Sequence, residues 1–170
     1  MKLLTVNIDR LKSDIEALGN IGRMEDHGIY RMAFSEGDMQ ARQWLKNKIE
    51  EAGLEIFEDG AANISARWKS SDKPCVMMGS HIDTVPAAGH LDGALGVLTA
   101  LECMRRIKEE NLTLEYPLEA IAFSEEEGRF GGMLGSQALA GLLDEAGVKE
   151  IFRIHEADDT SASTWFSSMP

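Results

Sequence analysis

The sequence predicts an α/β domain with a largely parallel central sheet and flanking helices. Two apolar runs of strand length, at 75–79 and 118–123, are separated by a stretch of helical periodicity. Other helix-period stretches flank them, and strands alternating with helices imply a parallel sheet. The chain has 170 residues, 44% of them apolar, and a chain of that size buries roughly 70% of its unfolded surface.

Each element follows from local pattern. Ile8, Leu11, Ile15 and Leu18 recur at helical spacing, so 7–18 reads as an amphipathic helix ending near Gly19. Met39, Trp44, Leu45, Ile49 and Ala52 give a second helix. It begins near Ser35 or Asp38, and Gly53 stands where a terminating glycine belongs. Leu54, Ile56 and 63–68 alternate like strands, with Asp59-Gly60 turning between them and Asn63 stabilising that turn. The run CVMMG at 75–79 reads as a strand buried on both faces. A helix over 93–107 places Leu95, Leu98, Leu101 and Met104 on one side. LEAIAF at 118–123 is another buried strand. A last helix is expected over 135–143, ended by Ala146-Gly147, and 158–170 lacks periodicity.

Charge and composition exclude several functions. Seventeen Lys+Arg against 29 Asp+Glu leave −12, which opposes non-specific nucleic-acid binding. No apolar run approaches the ~20 residues a membrane span needs, and the N-terminus is not expected to be a signal peptide. Cys75 and Cys103 form no disulfide framework. Both read as buried thiols in a reducing cytoplasm. There is no phosphate-cradling glycine loop and no G-x-S-x-G serine.

Chemistry concentrates after the two buried strands. The first leads into Ser80-His81-Ile82-Asp83-Thr84, the second into Ser124-Glu125-Glu126-Glu127-Gly128. Ligands in open α/β sheets bind beyond the carboxyl ends of strands. Leu91-Asp92-Gly93, just before the following helix, falls on the same edge. Each piece alone has a plainer reading. His-x-Asp is a loop hydrogen-bond pair, Asp92 an N-cap, and three Glu a solvated loop. Together, three adjacent carboxylates repel, and a divalent cation relieves that repulsion. Imidazole and carboxylate ligands suit zinc and other first-row metals, and paired metals recur in hydrolases. His90 is near enough to join such a site but reads better as loop; His27 and His155 lie in polar contexts.

The segments GSHIDTVP, HLDGALGVL and FSEEEGRFGGMLGSQALAG resemble the dinuclear metallohydrolases of the aminoacylase and carboxypeptidase type. Within these, the chain is most similar to N-carbamoyl-L-amino-acid hydrolases and allantoate amidohydrolases. YRMAFSEGDMQARQWLKNKIEEAGLEIFEDGAANISAR adds to the likeness, which runs from about Gly28 to Gly147. The resemblance implies an aminopeptidase-like catalytic domain holding two divalent ions (Zn, Mn, Co or Ni). His81 would bind one ion, Glu127 the other, and Asp92 both. Asp83 would orient the His81 ring. Glu126 would be the general base, with Glu125 next in line. The reaction would be hydrolysis of a carbamoyl or ureido C–N bond in a small molecule, with no nucleic-acid or membrane partner.

Family members are more than twice this length and homodimeric. The resemblance therefore implies that 1–157 is the N-terminal part of the catalytic domain and 158–170 an irregular tail. The lid and dimerisation domain, with the remaining ligands, would lie outside these 170 residues, so the isolated chain is expected to be inactive. Two other readings stand: a non-catalytic metal-binding or interaction remnant, and an aminoacylase or peptidase of the same superfamily.

Overall fold

The computed structural model describes residues 4–68 and 73–143. Helix α1 spans Ile8–Asn20, and the Asn7 side chain caps it by accepting from the Arg10 N–H. Helix α2 spans Glu36–Glu51, capped by Ser35. Gly53, at φ 63°, closes α2: its N–H bonds the Glu50 carbonyl and the Leu54 N–H bonds that of Ile49. This left-handed glycine turn drops Leu54 into the core. Strands β1 (Glu55–Glu58) and β2 (Ile64–Trp68) form the expected hairpin. Asp59 holds its turn by accepting from the N–H groups of Ala61 and Asn63.

Strand β3 (Val76–His81), helix α3 (Ala94–Glu109), strand β4 (Leu118–Phe123) and helix α4 (Leu134–Leu139) follow. Helix α4 is shorter than expected. The Ala146-Gly147 stop and the 158–170 tail lie outside the described residues.

The α/β class with flanking helices is as expected, but the sheet is mixed. Its order is β1-β2-β4-β3, and only β3–β4 is parallel among the described pairings. A parallel pair needs a long crossover. α3 supplies one between β3 and β4, whereas the short link 69–75 cannot supply another. Leu118, Ala120 and Ala122 of β4 and Ile64 and Ala66 of β2 face one cluster with α1, α2 and α3. β4 is buried as expected. β3 is not buried on both faces. Among the described residues it is the sheet's edge, and Val76 is 50% exposed. Cys75, just before that edge, is likewise exposed rather than buried, and Cys103 is half-buried. No helix among the described residues is long and apolar enough to cross a membrane.

Asp38 gives the fold a pH signature. Its carboxylate is buried, accepting from the Phe34 N–H at 2.9 Å. Burial pushes its pKa up to about 6, against the pull of Arg42, the Phe34 N–H and Arg31. The unfolded value is near 3.8, so between these pH values the folded state holds more protons. Its contribution to stability is therefore greatest below about pH 4 and is lost as pH rises through about 6. The loss is on the order of 3 kcal/mol. Unfolding free energies of the parent and Asp38→Asn, measured from pH 3.5 to 8, should diverge across that window and run parallel above it. Parallel profiles throughout would rule this out.

Candidate metal centre

Parallel pairing brings two loops to one place. His81, the last residue of β3, sits in register with Phe123, the last of β4. The 82–84 and 124–127 segments therefore leave the same edge of the sheet side by side. Asp92 joins them from the turn before α3. One ligand atom from each of His81, Asp92 and Glu127 lies within 4.8 Å of the others. An imidazole with two carboxylates is a donor set that fits zinc and other first-row divalent ions.

The imidazole is held at both nitrogens. Nδ1 lies 3.0 Å from the Asp83 carbonyl oxygen and 3.5 Å from its Oδ1. Both are acceptors, so Nδ1 carries the hydrogen and Nε2 is left for a ligand. Nε2 lies 3.4 Å from Glu127 Oε1. Burial disfavours the imidazolium, but hydrogen bonding and charge from Asp83, with Glu127, outweigh it and push the His81 pKa up to about 9. The ring also sits on Gly93. A Cβ there would meet its Cε1 at 2.4 Å, and Gly93 has φ 61°. Asp92 does not cap α3: that position is Gly93, with no side-chain cap bond.

Asp83, only 3% exposed, does more than face the ring. Its Oδ2 accepts from the Glu127 N–H at 3.1 Å and its Oδ1 from the Glu126 N–H at 3.4 Å. One carboxylate thus ties the β3 loop to the β4 loop.

The three glutamates relieve their repulsion by pointing apart. Glu125, at φ 54°, turns inward and accepts from the N–H groups of Phe130 and Gly132. Burial raises its pKa, against these donors. That placement removes Glu125 as the reserve base. Glu126 turns to Ser136, and Glu127 faces His81. His90 is exposed and outside the cluster, beside Gly19. His27 is exposed in a left-handed turn, and His155 lies outside the described residues.

Sequence reasoning missed two supports. Arg31 is fully buried. Its Nε donates to the Ile82 carbonyl at 2.6 Å, and its Nη1 to the carbonyls of Leu18 and Ile21. Its backbone exchanges bonds with Thr84, while Nη2 has no partner among the described residues. Burial lowers its pKa, though Asp38 and Asp83 oppose that. The second support is Asn63. Its Oδ1 accepts from the Ser124 N–H, and its Nδ2 donates to Asp59 and to the Gly135 carbonyl. This reaches well beyond the hairpin turn. The signal for Arg31 was an arginine in an otherwise apolar stretch.

A cleft of about 640 Å³ between α1, α2 and α3 lies away from these residues. Its charges are satisfied within the fold: Arg105 by Asp14, Arg10 by Glu102 and Glu109, Lys48 by Glu51.

The chain is 37% identical over 155 residues to an N-carbamoyl-L-amino-acid amidohydrolase of Pseudomonas sp. strain NS671, covering 89% of this chain and 37% of that protein. It is 34% identical over 140 residues to an allantoate amidohydrolase of Bacillus subtilis strain 168, covering 80% and 34% respectively. A crystal structure of a hydantoinase/carbamoylase family amidase from Burkholderia ambifaria superposes with a TM-score of 0.80 at 31% identity, over 84% of this chain and 36% of that one. The chain thus spans about a third of the length of each. Residues 63–161, more than half the chain, match the sequence profile of peptidase family M28, and the chain belongs to that family.

Proposed function

We propose that this chain carries the metal-binding edge of an amidohydrolase that cleaves a carbamoyl or ureido C–N bond in N-carbamoyl-L-amino acids or allantoate. The convergence of His81, Asp92 and Glu127 at the carboxyl edge of a parallel strand pair carries the reading. The names of the relatives support the substrate class. In this reading the site takes two divalent ions, Zn, Mn, Co or Ni. His81 would hold one, Glu127 the other, and Asp92 both. Bound there, such ions polarise a carbonyl and acidify a water molecule. Asp83 keeps the His81 Nε2 free for its ion. Glu126 takes the proton from the attacking water as the C–O bond forms, then hands it to the nitrogen as the C–N bond breaks. For a carbamoyl amino acid, one water consumed yields the amino acid, ammonia and carbon dioxide. In this reading the protein acts in the cytoplasm, and residues 1–157 belong to the catalytic domain. The M28 match favours a second reading, a peptidase or aminoacylase using the same residues.

The test is metal analysis and Co²⁺ titration of the chain, with a screen of N-carbamoyl amino acids, allantoate and dipeptides. The expected result is cation binding that His81→Ala abolishes. With Asp92 shared, the cluster offers each ion two ligands, one short of the usual three at catalytic zinc. Turnover is therefore expected only after mixing with the remaining portion of the Pseudomonas relative. Failure to bind any of the four metals would end the metal reading. Cleavage of dipeptides alone would select the peptidase reading.

A further inference from the structure

We infer that Ser136 is a positioning residue that fixes the Glu126 carboxylate. This deepens the reading above and rests on its assignment of Glu126 as the base. The Ser136 N–H donates to Glu126 Oε1 at 2.9 Å, and the Ser136 hydroxyl donates to Oε2 at 2.9 Å. Both oxygens are held by one residue, in the two-point manner that fixes the plane as well as the position of a carboxylate. Each oxygen retains a second acceptor direction, so a proton can still be taken.

Ser136 is itself held in place by a chain of contacts that starts in another part of the sheet. Three successive N–H groups at the start of α4 bond to three successive residues after β4. Leu134 donates to the Glu125 carbonyl, Gly135 to the Ser124 carbonyl, and Ser136 to the Glu126 side chain. Asn63, just before β2, clamps this docking by bonding both the Ser124 N–H and the Gly135 carbonyl. Asp59 in turn fixes the Asn63 amide at 2.8 Å. The approach is so close that a Cβ on Gly135 would lie 2.0 Å from Asn63 Oδ1 and 2.5 Å from the Ser124 nitrogen. The base is thus supported from the β1–β2 hairpin, through Asn63 and Gly135, at a residue ten positions further along the chain.

Two measurements test this, one needing no activity. Amide exchange on the chain reads the hydrogen bond: the Ser136 N–H is expected to exchange about tenfold faster in Glu126→Ala than in the parent. Turnover in the mixture with the Pseudomonas portion reads its consequence. Ser136→Ala is expected to lower kcat about 10–100-fold, the usual cost of an outer supporting partner. KM and Co²⁺ affinity should stay within about threefold, and Ser136→Thr should restore most of kcat. Unchanged kcat in Ser136→Ala overturns the inference and leaves the amidohydrolase reading intact. A fall in Co²⁺ affinity equal to the fall in kcat also overturns it, because Ser136 would then act through the ligands. If the parent mixture turns over no substrate, the amidohydrolase reading falls. The exchange rate then decides alone: Ser136 protection independent of Glu126 overturns the inference.

Discussion

Gly93→Ala is expected to weaken Co²⁺ binding by about 100-fold or more, the upper end for loss of support around a metal ligand. The added Cβ would lie 2.4–2.5 Å from three atoms of the His81 ring. The ring cannot retreat, because Nδ1 is held by Asp83 and Nε2 faces Glu127. Either the imidazole swings out or the 91–93 turn lifts and takes Asp92 with it. Both break the three-ligand cluster. The backbone adds to the effect, since φ 61° disfavours any residue with a Cβ. Gly89→Ala is the control, with nothing within 4 Å of its Cβ. It should bind Co²⁺ as the parent does. Near-parent affinity in Gly93→Ala would show that His81 is not a ligand in this position.

The second large effect separates roles within the acidic residues. In the mixture with the Pseudomonas portion, Glu126→Gln should lose about 10²–10⁴ in kcat while keeping its metal. The amide keeps an oxygen for the Ser136 N–H but cannot take a proton. Asp92→Asn should lose the metal as well, because a neutral amide is a poor bridge between two cations. Metal content by mass spectrometry, beside kcat for each variant, reads the distinction. Metal loss in Glu126→Gln would make Glu126 a ligand and leave the base unassigned.

The site's skeleton was legible because it follows from strand order. Two apolar runs with polar ends, and a helix between them, are enough to bring His81, Asp83, Asp92 and the Glu triplet to one edge, and the family resemblance singles out Glu127 among the three glutamates. What was not legible depends on neighbours distant in sequence. CVMMG is apolar enough for a central strand, yet only β4 pairs with it among the described residues, so Val76 and Cys75 are exposed. The Glu triplet reads as one repelling cluster. Its separation depends on backbone donors at 130 and 132 and on Ser136, none marked by charge. Asn63 reads as a turn residue because its local bonds to Asp59 are real. Its bonds to Ser124 and Gly135 span more than sixty positions and leave no local trace.

Arg31 makes the end of α1 and the β3 loop one cooperative unit. Its guanidinium joins the carbonyls of Leu18 and Ile21 to that of Ile82, with no water needed between them. Opening either partner strands a buried cation, which is costly. The amides of Leu18 and Thr84 should therefore exchange through a shared opening, with similar protection, despite lying in different layers. A boundary drawn at residue 63, where the family match starts, would cut through this unit. A protein beginning there would retain all three candidate ligands and lose the brace that sets the loop between His81 and Asp83.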